Sequence, residues 1–341
     1  MGISLSTVRY ALFTFLPDQF FEKLPTSFDD DLTGRTFMIT GSNTGLGLAS
    51  AIHLARMKPA HLILAVRDLE KGAKAKDELI AQTNFTGPID VWELDMAKFD
   101  SVKSFAEKSN NTLGRLDGAI INAGITSPPR WDMTSDGWEK TLQVNGIATG
   151  LLAVLLLPLL QVTTKLPPPH PNAAQTSPHL TITGSSAQYL TKFPEKRATN
   201  ILQTLNDPSK GRMTKDRYAV SKLFNLFLAR EIAALPQAQG VVVNVVDPGM
   251  CVSEIGRDRN LGPIASWIYH AVAWPISKGA INMVYAVLRP TPPGAFITSC
   301  EIRQPPSWTC KKDGLLVQKK VWDEMVEVWR EIAPEVDNIV W

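Results

Sequence analysis

Short apolar runs alternate with amphipathic stretches over most of the chain. Strands are predicted in seven such runs: Arg35–Thr40, His61–Val66, Ile89–Leu94, Gly118–Asn122, Leu180–Thr183, Val241–Val246 and Phe296–Thr298. Most are separated by helical stretches, the first of which ends near Lys58, before Pro59. This alternation is typical of a parallel sheet whose two faces are both covered by helices. We therefore predict an α/β fold with a doubly wound parallel sheet.

Two segments interrupt the pattern. Residues Val162–Pro178 are rich in Pro, Ser, Thr and Asn and predict an exposed loop, and Tyr189–Lys215 forms a second insertion. The longest apolar run, Ile147–Leu160, is shorter than a membrane span and contains Pro158, so it predicts a buried helix. We divide the chain into an N-terminal arm (1–33), one α/β domain (34–300, with insertions at about 162–178 and 189–215) and a C-terminal extension (301–341).

The C-terminal extension carries an apolar stripe at helical spacing. It comprises Val317, Val321, Trp322, Met325, Val328, Trp329 and Ile332. A stripe of this kind predicts an amphipathic helix that docks on an apolar surface. Packing on the core is the preferred interpretation, and a surface for a partner is the alternative.

Composition narrows the range of functions. The 341 residues are 44% hydrophobic and 20% charged, which suffices for a large core, and a net charge of +2 gives no reason to expect nucleic acid. There are only three cysteines, and a disulfide framework needs a larger and even number. The apolar run near the start is broken by Pro17, so it makes a poor signal peptide. These features predict a cytoplasmic protein with no transmembrane segment.

The start of the chain leaves an alternative location. Residues Met1–Ser6 match the loose myristoylation pattern, which is short enough to occur by chance. Membrane association through the N-terminal arm, with or without a lipid on Gly2, is therefore the alternative to a freely cytoplasmic protein.

The strongest candidate chemistry lies in Tyr218-Ala-Val-Ser-Lys222. Residues four apart lie on one face of a helix, so the phenol and the ammonium can share a site. An ammonium favours the phenolate form and brings the phenol pKa toward the working range of an acid or base. A lone pair of this kind would most simply be an accidental surface pair, so the interpretation depends on the motifs around it.

A glycine-rich turn, Thr40-Gly41-Ser-Asn-Thr-Gly45-Leu-Gly47, follows the first strand and opens a helix. In that setting backbone can approach a pyrophosphate, and the helix N-terminus supplies N–H donors. Asn122-Ala-Gly124, Asn145 and Ser185 follow in order before Tyr218 and Lys222. With these motifs the chain resembles the short-chain dehydrogenase/reductase family. Two further stretches, Leu64-Ala-Val-Arg67-Asp68 and Gly294-Ala-Phe-Ile-Thr-Ser-Cys300, are similar to its retinol-dehydrogenase-like and fungal biosynthetic members.

The resemblance implies a Rossmann-like fold, a nicotinamide cofactor and four catalytic residues. Tyr218 passes a proton to or from the substrate oxygen, and Ser185, with Ser186 as the fallback, hydrogen-bonds that oxygen. Lys222 lowers the phenol pKa and holds the ribose, and Asn145 maintains a water chain to solvent. The implied cofactor contacts are Gly41, Ser42, Asn43, Gly45, Leu46, Gly47, Arg67, Asp95, Met96, Asn122, Ala123, Gly124, Tyr218, Lys222, Pro248, Gly249, Cys251 and Ser253. No metal site is predicted.

Arg67 directs the choice of cofactor toward NADP(H). It follows the second strand, where an acid would bind the 2′-OH of NAD and an Arg accommodates the 2′-phosphate of NADP. Val66 stands where NAD-preferring members usually carry the acid, and Asp68 more simply caps the next helix. Asn43 weighs against NADP, because many NADP-dependent members have a second cation in the glycine turn.

Three departures from the family pattern stand out. Ile121 replaces a common Asn, Asp247 precedes Pro248-Gly249, and Ser185 and Tyr218 lie unusually far apart in sequence. The insertion between the last two lies beside the substrate side and could reshape it. Cys251 is interpreted as a small apolar filler.

The substrate and the assembly are predicted from the same resemblance. Apolar residues in the implied substrate loop (Trp267, Ile268, Tyr269 and Trp274) fit a lipophilic or polyketide-like ligand or, equally, core packing. A homodimer or tetramer is expected through the helix after Asn145 and the helix carrying Phe224, Leu226, Phe227 and Leu228.

The leading hypothesis is an NADP-dependent carbonyl reductase or alcohol dehydrogenase. The alternatives are a biosynthetic enzyme of this fold that guides a non-redox cyclisation, and a nucleotide-binding sensor or scaffold. The intact set of Tyr218, Lys222, Ser185 and Asn145 argues against the scaffold, and less strongly against the non-redox enzyme.

Overall fold

The fold is organised around one eight-stranded sheet. The computed structural model describes residues 16–21, 23–126, 130–171, 173–210, 216–252 and 272–341. The strands are β1 (Thr36–Thr40), β2 (His61–Val66), β3 (Ile89–Glu93), β4 (Gly118–Ile121), β5 (His179–Thr183), β6 (Val242–Asp247), β7 (Ala295–Thr298) and β8 (Glu301–Arg303). Their order is β3-β2-β1-β4-β5-β6-β7-β8. All neighbours run parallel except β8, which pairs antiparallel with β7.

The helices follow the strands in alternation. They are α1 (Leu16–Phe21), α2 (Gly45–Arg56), α3 (Leu69–Thr83), α4 (Phe99–Thr112), α5 (Lys140–Leu142), α6 (Ala148–Leu155), α7 (Leu157–Thr164), α8 (Ile201–Asn206), α9 (Asp216–Ala233), α10 (Ile276–Leu288), α11 (Lys312–Ile332) and α12 (Asp337–Val340). A π-helical turn, Gln143–Ile147, joins α5 to α6. The predicted doubly wound α/β fold, a single domain with a helical C-terminal part, is confirmed.

Alternation along the central strands builds a core on each face of the sheet. In β1, Phe37 and Ile39 pack with α2, α3 and α10, whereas Met38 faces α4, α6 and α9. Successive side chains of a strand point to opposite faces, so a strand covered on both sides has no polar face. This explains why the predicted strands appear in the sequence as continuous apolar runs.

The apolar run after Asn145 belongs to a longer helical segment than predicted. Lys140–Thr164 spans 25 residues, and by length and composition it could cross a membrane. However, 83% of its most apolar window is buried inside the fold. The segment is therefore a core helix, and its end at Thr164 shortens the loop predicted from Val162.

The C-terminal stripe docks on the core, as predicted. On α11, Val321, Trp322, Met325 and Trp329 are buried, and Trp329 Nε1 donates a hydrogen bond of 2.9 Å to Ile147 O. The predicted boundary at residue 301 cuts across the sheet, because β8 lies in residues 301–303. The domain division itself remains a prediction.

The same docking covers the surface that was expected to form the dimer. All eight residues of α6 are buried within the single chain, as are Phe224, Leu226, Phe227 and Leu228 on α9. The ring of Trp329 occupies the place to which a side chain on Gly150 would project. Its Cζ2 atom lies 2.5 Å from the ideal Cβ position of Gly150. The apolar surface on which the expectation of a homodimer or tetramer rested is therefore covered by α11, and the oligomeric state itself remains a prediction.

Candidate functional site

The glycine-rich turn lies at the reversal point of the strand order. It follows β1, whose neighbours β2 and β4 lie on opposite sides. Gly41 has φ +65°, a conformation that favours glycine, and a Cβ on Gly47 would lie 2.3 Å from Gly41 O. In open α/β sheets ligands bind in the crevice at this point, beyond the carboxyl ends of the strands. The turn is thus both tightly built and placed at the expected edge.

Side chains from β1 and β4 hold the walls of the crevice together. Thr40 Oγ1 accepts hydrogen bonds of 2.9 Å from the amides of Asn122 and Ala123. Asn122 Nδ2 donates to Thr40 O at 2.9 Å. These bonds fix the Asn122-Ala123-Gly124 segment against the glycine turn. The backbone of both segments is therefore available to a ligand in a single, preset arrangement.

The start of α2 is open at its first residue, Gly45. An ideal Cβ on Gly45 meets no heavy atom within 4 Å among the described residues. Thr44, the residue that precedes the helix, makes no side-chain capping bond to this turn. Unpaired N–H groups at a helix N-terminus favour an anion. The residues present therefore fit a bound pyrophosphate group.

The other predicted residues of the turn have different roles. Ser42 is fully buried, and its hydroxyl donates to Ile39 O at 3.0 Å, so its side chain supports the turn from inside. Asn43 is half-buried at the surface of the turn. Leu46 lies against α10, with Cδ2 3.1 Å from the Cβ position of Gly279. Ser42 can therefore contact a cofactor through its backbone only.

Arg67 is exposed at the carboxyl end of β2, beside the glycine turn. Within the described residues its guanidinium makes no hydrogen bond or ion pair, so it is free to bind a ligand. Asp68 Oδ1 accepts a hydrogen bond of 3.1 Å from Lys71 N, and this bond lowers the pKa of the carboxyl. The interpretation of Asp68 as the cap of α3 is confirmed.

Asp95 and Met96 follow β3 on the same edge. Asp95 Oδ1 accepts a hydrogen bond of 3.0 Å from Ala97 N, while Met96 is buried in the core. The carboxylate therefore stabilises the turn in which it lies. A contact with adenine remains a prediction for both residues.

Lys222 lies at the centre of the candidate catalytic group. Its Nζ donates to Thr183 O at 2.8 Å and lies 5.8 Å from the centroid of the Tyr218 ring. The ideal Cβ position of Gly124 is 3.7 Å from the same nitrogen, so Asn122-Ala123-Gly124 passes close by. Tyr218 is half-buried, and the i,i+4 spacing places it beside Lys222 as expected.

Burial lowers the pKa of Lys222 to about 8, and the negative charge of Asp247 opposes that change. An ammonium of this pKa is still mostly protonated at neutral pH. It can therefore stabilise a phenolate on Tyr218, while losing its own charge more readily than an exposed lysine.

Asn145 connects the end of β4 to α9. It lies in the π-helical turn, a geometry often found at functional sites. Its side-chain amide accepts from Ile125 N and donates to Ile125 O, both at 2.8 Å, and donates to Ser221 Oγ at 3.0 Å. The structure thus brings Asn145 to the loop after Gly124 and to the helix of Tyr218. Its role in a water chain remains a prediction.

The two serines after β5 have separate partners. Ser185 Oγ accepts a hydrogen bond of 3.1 Å from Ala187 N, so its O–H is directed elsewhere. Ser186 donates its hydroxyl to Asp247 Oδ2, a buried carboxylate. Of the two, Ser185 is therefore the better candidate for a substrate oxygen.

The loop after β6 is held by three side chains. Gly249 has φ +79° and its amide donates to Asp247 Oδ1 at 3.1 Å. Asn282 Nδ2 donates to Pro248 O at 3.4 Å. Gln19, from α1, donates to Met250 O at 2.9 Å and accepts from Met250 N at 3.3 Å. The loop is thus fixed next to the candidate catalytic group.

Cys251 and Trp274 serve this loop as packing residues. Burial raises the pKa of the Cys251 thiol to about 12, so it stays neutral, in keeping with a filler. Trp274 is buried and its Nε1 donates to Gln19 O at 2.6 Å, which supports the core interpretation of that residue. Ser253, Trp267, Ile268 and Tyr269 lie outside the described residues.

Sequence reasoning missed Gln19, Asn282 and the bonding role of Asp247. Gln19 and Asn282 carry no local pattern, because each acts across a separation of more than 30 residues. Asp247 stood out only as a polar residue that ends an apolar strand and departs from the family pattern. That departure was the one available signal.

A further cavity, of about 240 Å³, lies at the opposite edge of the sheet. Its lining includes Arg35, Asp117 and His179, at or before the amino ends of β1, β4 and β5. These polar groups bond to one another or to backbone: Arg35 donates to Ala174 O at 2.7 Å, and Asp117 accepts from Thr36 N at 2.8 Å. These polar groups are thus held by bonds within the fold, at the edge of the sheet opposite the glycine turn.

Comparison with known proteins agrees with the geometry. A family model for short chain dehydrogenases matches residues 35–165. The short chain dehydrogenase/reductase dmxR8 of Cryptosporiopsis sp. (strain 8999) is 36% identical over 95% of this chain and 99% of its own length. The short-chain dehydrogenase anuD of Penicillium roqueforti (strain FM164) is 33% identical over 97% of this chain and 87% of its own length.

Solved structures share the fold at lower identity. Levodione reductase is 18% identical with a TM-score of 0.57, over 75% of this chain and 91% of that one. A short-chain dehydrogenase from Sphingobium yanoikuyae, solved in complex with NADPH, is 18% identical with a TM-score of 0.53, over 72% and 81% of the two chains. At these identities the likeness establishes the fold only.

Proposed function

The chain belongs to the short-chain dehydrogenase/reductase family, among its fungal biosynthetic members, and from this premise we propose that it is an NADP-dependent oxidoreductase. In this proposal it interconverts a carbonyl and an alcohol on a lipophilic or polyketide-like small molecule. The observation that carries the proposal is the position of Lys222. Its buried ammonium donates to the Thr183 carbonyl, lies 5.8 Å from the centroid of the Tyr218 ring and is 3.7 Å from the ideal Cβ position of Gly124.

The cofactor is proposed to lie along the carboxyl ends of β1, β2, β4 and β6. The first turn of α2 would bind the pyrophosphate, and Arg67 would pair with the 2′-phosphate. Lys222 would bind the nicotinamide ribose, and Pro248-Gly249 would border the nicotinamide. A bound nicotinamide supplies or accepts the hydride at the substrate carbon.

The chain itself handles the proton at the substrate oxygen. In reduction, Tyr218 donates its phenolic proton to the oxygen as negative charge develops there, and Ser185 donates a hydrogen bond to the same atom. In oxidation, the phenolate of Tyr218 accepts the proton from the alcohol. Lys222 stabilises this phenolate by its charge, because the two side chains share one face of α9.

Absorbance at the reduced nicotinamide band tests the proposal directly. The purified chain is incubated with NADPH and a panel of lipophilic ketones, aldehydes and polyketide-like carbonyl compounds, and we expect NADPH consumption that requires both enzyme and carbonyl. Consumption equal to the enzyme-free rate with every compound would contradict a redox function. A product formed without consumption would identify the non-redox alternative, and cofactor binding with no product would identify the sensor.

A further inference from the structure

Asp247 is a buried carboxylate that the proposed mechanism leaves without a role. It ends β6 at the catalytic edge, and its side chain is only 3% exposed. Gly249 N donates to Oδ1 at 3.1 Å, while the hydroxyls of Ser186 and Thr298 donate to Oδ2, the latter at 3.5 Å. Three donors converging on one carboxyl group form a site for its ionised form.

The backbone register brings this carboxylate close to Lys222. Thr183 of β5 pairs with Val246 of β6, the residue before Asp247. Lys222 Nζ hydrogen-bonds the carbonyl of the same Thr183. The ammonium and the carboxylate are therefore held near each other across two adjacent parallel strands. A buried charge is costly unless an opposite charge or hydrogen bonds compensate it, and here each group helps to compensate the other.

Two described ionisable groups beside Asp247, a phenol and a thiol, stay neutral. Tyr189 lies on the turn after Ser186, and Cys251 on the loop after β6; burial and the charge of Asp247 raise the pKa of both. Burial also raises the pKa of Asp247, and the bonds from Ser186 and Gly249 oppose that rise. Among the described residues, Lys222 is thus the buried cation that this carboxylate can stabilise.

We propose that Asp247 is a positioning residue of the proton-transfer site, which keeps Lys222 protonated and fixes the backbone on both sides of the substrate. Through Ser186 it holds the residue next to Ser185, and through Gly249 it holds the loop that borders the nicotinamide. The inference rests on the proposed function, because it assigns Asp247 to the step that Tyr218 and Lys222 perform. It extends that function by placing a negative charge behind the lysine.

The test compares Asp247→Asn with Thr298→Val in the full-length chain. Asn has nearly the same size: its one carbonyl oxygen can still accept from Gly249 N, and its NH2 group can donate to the hydroxyl of Ser186, so this variant removes chiefly the charge. Val has nearly the shape of Thr, so Thr298→Val removes one hydrogen bond to the carboxylate and leaves the charge in place. The titration of Lys222 is followed by NMR of isotope-labelled lysine, with its signal assigned by its loss in Lys222→Met.

We expect the wild-type lysine to titrate at a pH of about 8. In Asp247→Asn it should titrate about one pH unit lower, the order expected on losing one nearby charge. In Thr298→Val it should titrate as in the wild type. If Asp247→Asn does not fold, Asp247→Ser, which is smaller and also uncharged, is measured in its place with the same expected shift.

Turnover supplies the second measurement. Because Lys222 loses its proton at lower pH in Asp247→Asn, kcat at pH 8 should fall about fivefold, and much of the loss should be recovered on lowering the pH. A loss that is equal at every pH would indicate a structural role only. An unchanged Lys222 titration, or an equal shift in Thr298→Val, would overturn the proposal. The NMR titration does not depend on turnover. It therefore tests the role of Asp247 even if the proposed redox function is wrong.

Discussion

Tyr218 and Lys222 have different roles in the proposed proton transfer. Tyr218 transfers the proton, and Lys222 stabilises the phenolate that this requires. Tyr218 is half-buried and can reach a substrate, whereas Lys222 is buried and hydrogen-bonded to Thr183. Replacing Tyr218 and replacing Lys222 should therefore have different effects on turnover and on cofactor binding.

Tyr218→Phe removes one oxygen and little volume. We expect kcat to fall by a factor on the order of 10² or more, the scale of losing a positioned general acid, with cofactor binding retained. Initial rates and NADPH fluorescence titration measure the two effects. Tyr285→Phe is the matched control, because Tyr285 lies on α10 four residues before Arg289, and Arg289 pairs with Asp30 away from the crevice. Near-normal turnover in Tyr218→Phe would mean that another acid acts.

Lys222→Met should lower turnover and weaken cofactor binding together, because this lysine is proposed to serve both the phenol and the ribose. The carbonyl of Thr183 keeps a donor in the variant, since Asn225 Nδ2 also binds it at 2.9 Å. Reduced turnover with an unchanged NADPH dissociation constant would remove the ribose contact from the proposal.

The rates of reduction and of oxidation should depend on pH in opposite ways. Reduction needs the protonated phenol of Tyr218, so its rate should fall as pH rises through the phenol pKa. Oxidation needs the phenolate, so its rate should rise over the same range, until Lys222, whose pKa is lowered to about 8 by burial, loses its charge. Rate profiles with each cofactor form measure both limbs. Parallel profiles would exclude Tyr218 as the shared acid and base.

Arg67 is the residue that should separate the two cofactors. Arg67→Ala should raise the KM for NADPH about tenfold or more and leave NADH use nearly unchanged, because only the 2′-phosphate loses a charge-assisted partner. Arg56→Ala, an exposed cation in the last turn of α2, is the control. Equal losses with both cofactors would contradict the assignment of NADP.

At the scale of elements, the short helix α1 supports the loop after β6. Gln19 bonds both the amide and the carbonyl of Met250, and Val272 O as well, which clamps the loop from outside the α/β core. Neighbouring Phe20 and Phe21 on the same helix are exposed. The helix thus contributes to the site through one polar side chain.

Gln19→Ala should therefore weaken the binding of both cofactors equally. Each lost hydrogen bond contributes about 1 kcal/mol, so a rise in KM of roughly fivefold or more is expected for NADPH and for NADH alike. Phe21→Ser, an exposed position of the same helix, should leave both values unchanged. A rise for NADPH alone would place Gln19 near the 2′-phosphate and contradict its role at the nicotinamide end.

At the scale of the whole molecule, α11 takes the place of a neighbouring subunit on α6 and α9. Trp329 and Met325 fill the surface near Gly150 and Gly146, and Glu324 accepts the amides of Ile201 and Leu202 at the start of α8. The insertion before Tyr218 and the C-terminal extension are thus packed on each other. Together they cover the surface that the sequence led us to assign to a dimer.

We expect the 341-residue chain to be a monomer of 37.5 kDa by light scattering at micromolar concentration. The reason is that obligate oligomers need a large exposed apolar surface, and α6 has none left. A stable mass of twice this value would show that a different surface pairs the subunits.

The sequence by itself determined the features that depend on local periodicity. Continuous apolar runs indicated strands buried on both faces. The spacing of Tyr218 and Lys222 placed both on one side of a helix. Both inferences hold because these periods follow from backbone geometry. The apolar stripe of α11 identified that helix, though it did not identify the surface the helix covers.

Only the tertiary structure decided which distant groups meet. Gln19 and Met250 are 231 residues apart, and Ser186 and Asp247 are 61 apart, yet each pair is hydrogen-bonded. No pattern in the chain encodes such contacts, since they arise from the order of strands in the sheet. The same order places Asp247 near Lys222, and it distinguishes Ser185 from Ser186 by the partner that each one finds.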